Sequence, residues 1–123
     1  MLALVPDLLF GSQVQGSLTA AGHDAQLIGD EARLRERLAD ADAASAPTVL
    51  VVDLTNPSFD GAAIVQALTA ERLLDGVRTL AFYSHVDTEV GETARAAGFD
   101  LVIPRSRMAR EGAQLVGRLA GEG

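Results

Sequence analysis

The chain has 123 residues, 48% of them apolar, with a net charge of −7 and no cysteine. That length supports one domain with one core, and that apolar share excludes a disordered chain. The acid excess argues against nonspecific binding to nucleic acid or an anionic membrane. No apolar run approaches the roughly 20 residues of a membrane helix. The missing cysteine excludes disulfides, thiol chemistry and cysteine-ligated zinc, and fits a cytoplasmic setting. All ten basic residues are arginine, so chemistry that needs a lysine amine is excluded as well.

Met1 to Val5 is read as a first strand, not a signal peptide, because no basic segment leads it. Pro6 and Asp7 close it. Phe10, Val14, Leu18 and Ala21 then recur at helical spacing, and Gly22 ends that helix. His23 follows and is expected at the surface. Ala25 to Ile28 reads as a short second strand near a sheet edge. Asp30 is placed to cap a second helix with Leu34, Leu38 and Ala41 inward. Glu31, Arg33, Arg35, Glu36, Arg37, Asp40 and Asp42 form its solvated faces, and Ala43 to Pro47 a loop.

Thr48 to Val52 is a short, wholly apolar-leaning run that ends at one acid, Asp53. Such a run reads as a central parallel strand covered on both faces. Asp60 and Gly61 lead into a third helix, with Ile64, Leu68 and Leu73 or Leu74 inward and Gly76 as its stop. Val77 to Tyr83 is a fourth strand, followed by Ser84, His85, Val86 and Asp87. Asp87 is placed to cap a fourth helix that runs to about Ala97 and ends at Gly98. Phe99 to Ile103 is a fifth strand, and Pro104 to Arg107 a loop in which Ser106 caps the last helix. Met108, Gly112, Leu115 and Leu119 share one face of that helix.

Strict strand–helix alternation implies right-handed parallel β-α-β units. The expected fold is an α/β, flavodoxin-like three-layer sandwich: a five-stranded parallel sheet in the order 2-1-3-4-5 with five helices. Residues 1–123 are expected to form one domain with no output domain. Ligands collect at the carboxyl ends of such strands. Asp7, Asp53, Ser84 with His85, and Arg105 stand at four of those ends. Two neighbouring carboxylates repel unless a cation or proton intervenes. A magnesium ion held by Asp7, Asp53 and a backbone carbonyl would relieve that. No glycine-rich phosphate loop follows the first strand, which argues against the alternative of a flavodoxin-like small-molecule binder.

Asp53-Leu54-Thr55-Asn56-Pro57-Ser58-Phe59-Asp60-Gly61 resembles the D-x-x-x-P-x-x-D-G motif of bacterial response regulator receiver domains. Ala96 to Asp100 resembles that family's A-G-A segment before its fifth strand. The resemblance runs along essentially the whole chain. It implies that Asp53 is the phosphoacceptor and that Asp7, Asp53 and the Thr55 carbonyl hold magnesium. It also implies that Ser84 contacts the phosphoryl group.

The chain departs from that pattern at several places. Pro6 replaces the family's first acid, and Pro104 stands where the family has a lysine. Arg105, one residue later, is the replacement phosphoryl contact that the resemblance implies. Leu101 falls where the family has its switch aromatic, and His85 where it has a small residue. Plainer roles stand beside these: Asp53 as the cap of its own turn through Thr55 or Asn56, Asp7 as a helix N-cap, Ser84 as a turn hydroxyl, His85 as a turn histidine.

The resemblance therefore implies a degenerate receiver: a signalling domain, not an enzyme, that works by protein contact and binds magnesium weakly or not at all. The alternative is an active receiver phosphorylated on Asp53 with magnesium. Partners would be a histidine kinase, a phosphotransfer protein or an output protein, with neither nucleic acid nor membrane. Receivers meet partners on the helix 4, strand 5 and helix 5 face. Leu101, Arg105, Arg107 and Met108 are the expected contacts there, and a homodimer through that face is implied too.

Overall fold

The computed structural model describes residues 1–40, 48–56, 60–84, 86 and 88–121. Strands β1 (Leu2–Leu4), β2 (Gln26–Ile28), β3 (Val49–Asp53), β4 (Arg78–Tyr83) and β5 (Leu101–Pro104) alternate with five helices. These are α1 (Leu8–Ala20), α2 (Glu31–Ala39), α3 (Gly61–Ala70), α4 (Thr88–Ala97) and α5 (Arg105–Leu119). All neighbouring strands are parallel, in the order β2-β1-β3-β4-β5, as expected, with β2 at an edge.

The two faces of the sheet carry separate cores because successive strand residues point opposite ways. Leu50 and Val52 join a cluster with Leu34, Leu68 and Ala94, under α2, α3 and α4. Val49 and Val51 join the other, with Phe10, Val14, Met108 and Val116, under α1 and α5. Every residue of β3 is buried, as a strand covered twice must be. Alternation puts Asp53 on the α1/α5 face, in register with Phe82 of β4. Among the described residues, no helix is long and apolar enough to cross a membrane.

Three local expectations are corrected. Helix α3 stops at Ala70, well before Gly76. Arg72 N–H donates to Thr69 O and Leu73 N–H to Leu68 O, which closes a Schellman turn. Arg72 occupies the left-handed position with φ 62°, where glycine is usual, so no glycine marks the end. Leu73 and Leu74 therefore pack from a turn beyond the helix.

Pro104 is the last residue of β5, paired with Tyr83, and not part of a loop. It also serves as the α5 N-cap, with no side-chain cap bond, so Ser106 lies inside the helix and does not cap it. Proline suits this place because it fixes φ near the helical value and its missing N–H costs no ladder bond at a strand end.

His23 is buried, not at the surface. Gly22, at φ 91°, turns the chain back in a second Schellman turn, with His23 N–H donating to Leu18 O. That carries the His23 ring against α5, where Nε2 lies 3.2 Å from the Ala113 carbonyl oxygen. Asp30 caps α2 as expected, and Asp60 caps α3 by accepting from Ala63 N–H. Ala41, Asp42, the loop to Pro47, His85 and the Asp87 cap lie outside the described residues.

On α2, Arg35 bonds Glu31 at 2.8 Å and reaches Glu71 beyond α3 at 2.7 Å. Those hydrogen bonds, Glu31 first, hold its guanidinium above its ordinary pKa.

Candidate functional site

Asp53 ends the central strand and is only 1% exposed. A buried carboxylate is costly unless hydrogen-bonded. Here Thr55 N–H and Thr55 Oγ1–H both donate to Asp53 Oδ1, at 2.7 and 2.6 Å. The chain thus folds back on its own acid, in the local turn that aspartate favours.

Asp7 lies three residues past the end of β1, beside β3 in the sheet. Its side chain is exposed and caps α1, accepting from Phe10 N–H at 3.0 Å. Asp7→Ala is expected to cost about 0.5–2 kcal/mol in urea unfolding, and Asp7→Asn to recover most of it. Equal losses in both variants would refute the cap assignment.

Ser84 is half-buried and sits two residues beyond Phe82, the β4 partner of Asp53. Arg105 opens α5, and its guanidinium carbon stands 3.9 Å from the centre of the Phe10 ring. Phe10 in turn meets Phe82 edge-on, with centres 5.3 Å apart. The cation that follows β5 is thus stacked on one ring of an aromatic pair. Nothing in the sequence pattern singled out Phe10 or Phe82 for that role. The one available signal was the position of Phe10, a turn after Asp7.

The proposed partner face is rearranged too. Met108 is 5% exposed, so it is a core residue and not a surface contact. Its thioether lies over Gly112, where an added Cβ would stand 2.7 Å from the sulfur. Leu101 is half-buried against the α1/α5 cluster. Arg107 is half-buried and pairs with Glu111 at 3.2 Å.

Magnesium requires near-octahedral oxygen coordination. Asp7 and Asp53 each already accept backbone N–H bonds on one oxygen, and Pro6 offers no carboxylate between them. Among the described residues, no group of three or more His, Cys, Asp or Glu is placed to hold a metal. The described bonds engage only Oδ1 of each acid, so Asp7 and Asp53, with the Thr55 carbonyl, are the groups that would hold magnesium.

No family model and no curated protein matches the chain. Solved structures do. FixJ-N superposes with a TM-score of 0.82 at 16% identity, over 99% of this chain and 93% of that one. The receiver domain of NtrX from Brucella abortus gives 0.82 at 17% identity, over 99% and 98%. The receiver domain of a Francisella response regulator gives 0.80 at 16%, over 98% and 94%. The chain has the receiver-domain fold. At these identities the likeness is one of fold. Within that receiver fold, Asp53, Ser84 and Arg105 stand at the carboxyl ends of β3, β4 and β5, and Asp7 beyond β1.

Proposed function

We propose that this chain is a receiver-like signalling domain that works by protein contact and whose Asp53 has lost the phosphoacceptor role. One observation carries the reading: the Asp53 carboxylate is 1% exposed and its Oδ1 already accepts two hydrogen bonds from Thr55. Acyl phosphate formation needs a carboxylate oxygen to attack phosphorus while the leaving group departs on the far side. It also needs cations to neutralise the transferring phosphoryl group. The chain has no lysine, and Arg105 is stacked on Phe10. Loss of one fixed electrostatic group typically costs about 10²–10³-fold in rate.

The partner is a histidine kinase, a phosphotransfer protein or an output protein in the cytoplasm. Arg105 and Arg107 contact it or a second copy.

The competing reading is an active receiver, with Asp53 phosphorylated, magnesium on Asp7, Asp53 and the Thr55 carbonyl, and Ser84 and Arg105 on the phosphoryl oxygens. The place of Asp53 at the end of the central strand favours it. Acetyl phosphate with magnesium decides between them. Wild type is expected to keep its mass. A gain of one phosphoryl group that Asp53→Asn abolishes would establish the active receiver instead.

A further inference from the structure

Helices α1 and α5 pack side by side over one face of the sheet and leave an apolar cleft of about 140 Å3 between them. Phe10, Val14 and Leu18 of α1 line it with Met108 and Ala113 of α5. Gln13 and Ser17, both exposed, form its polar rim. Two of its walls are held by neighbours. The Met108 thioether folds back over Gly112, where an added Cβ would stand 2.7 Å from the sulfur. The Phe10 ring has Arg105 over its centre at 3.9 Å and meets Phe82 edge-on.

A polar hollow of about 560 Å3 adjoins the cleft, and Ser17 and Ala113 line both. Arg110, Gln114 and Arg118 line the hollow, with the buried His23. Among the described residues its one acid is Glu111, which accepts a hydrogen bond from Arg107 Nε at 3.2 Å. Two guanidinium groups thus stand beside one carboxylate that a third arginine already pairs. The hollow favours an anion, although the chain as a whole carries −7.

We infer that the cleft and the hollow together bind a small aromatic carboxylate, a single ring bearing one acid group. The apolar part is close in size to a cavity of about 150 Å3 that takes up benzene, so it has room for one ring. Its walls suit a ring chemically. The Phe10 ring offers an aromatic contact, and the Met108 sulfur is a soft partner for a ring edge. A carboxylate on that ring then passes Ser17 and Ala113 into the hollow. There Arg110 or Arg118 holds it by paired, charge-assisted hydrogen bonds, and Gln114 offers an amide donor. Few polar groups beside an apolar wall are the usual composition of a small-molecule site. Asp53 lines neither part, so the site goes beyond the contact role proposed above and does not depend on it.

The test titrates the full chain, labelled with 15N, with benzoate, benzylamine and acetate. Benzoate is expected to shift the amides of Val14, Ser17, Ala113 and Gln114. Acetate lacks the ring and benzylamine reverses the charge, and each is expected to bind about tenfold more weakly or worse. Arg110→Gln and Arg118→Gln together are expected to weaken benzoate about fivefold. Ala113→Leu fills the cleft from α5, and Ser17→Leu reaches it from an exposed position on α1. Both are expected to block benzoate, with circular dichroism checking that each variant is folded. No shifts at millimolar benzoate, or shifts confined to other faces, would overturn the inference. Equal binding of acetate would reduce the site to an anion patch, and equal binding of benzylamine would remove the role of the arginines; either result overturns it. Benzoate binding that survives both leucine variants, or is unchanged in the double arginine variant, does so too. Asp53→Asn should leave benzoate binding unchanged, so the outcome is separable from that of the acetyl phosphate experiment.

Discussion

Phe82→Ala is expected to remove about 3–5 kcal/mol of stability, the largest single loss on this chain. Phe82 is wholly buried in β4, between β3 and β5. It pairs in register with Asp53 on one side and Ile103 on the other, and its ring meets Phe10 edge-on. Truncation forfeits the transfer energy of the ring and leaves a cavity that central strands cannot collapse. A domain of this kind holds only about 5–15 kcal/mol in total, so the variant should sit near its unfolding threshold. Urea unfolding measures it, with an unchanged slope marking a change in stability alone. Phe82→Leu should retain most of the stability, because it keeps much of the volume. A loss below about 1 kcal/mol for the alanine variant would mean that the α1/α5 face of the sheet is not tightly packed around this ring.

Gly91→Ala is expected to destabilise the protein by about 1–3 kcal/mol, although alanine is normally favoured over glycine within a helix. Gly91 lies on the buried face of α4, directly over Tyr83. A Cβ there would stand 2.9 Å from the ring Cζ and 3.1 Å from Cε2. Tyr83 is the last full β4 residue before Ser84, and a ring on a strand moves less easily than a flexible chain end. The effect should change sign when the ring is gone. In a Tyr83→Ala background the same change should stabilise by up to about 1 kcal/mol, since only helix propensity remains. A double-mutant cycle isolates the coupling, and additive effects would remove the proposed contact. The ring also lies near Arg95, whose guanidinium carbon is 6.0 Å from its centre. Gly91 thus belongs to α4 because of Tyr83, and the slot connects the end of β4 to the helix that follows.

Much of this was legible from residue order. Alternating apolar runs and helical stripes placed all ten elements and their sheet order. The capping acid Asp30 followed the ordinary chemistry of helix starts. The errors fell where a backbone turn used an unmarked residue. Arg72 took the place of a glycine, and Pro104 completed a strand and opened a helix at once.

The candidate site was legible only as a set of positions. Asp53 was found because an apolar strand ends at an acid followed by a recognisable turn. Its turn through Thr55 was among the roles that the sequence offered, while its burial required the assembled sheet and helices. Arg105 was found as a cation near a strand end, but its stacking on Phe10 joins residues 95 positions apart. His23 was misplaced because a Schellman turn and a neighbouring helix, not local polarity, decide its burial.

By itself, then, the sequence determined the α/β alternation, the parallel sheet and the acid at the end of its central strand. Those features depend on local periodicity and on the short-range chemistry of caps and turns. Only the tertiary structure decided which groups are engaged across the fold: Arg105 by the Phe10 ring and His23 by the Ala113 carbonyl. Burial and pairing depend on which elements the fold brings together, and that information is not carried by spacing along the chain.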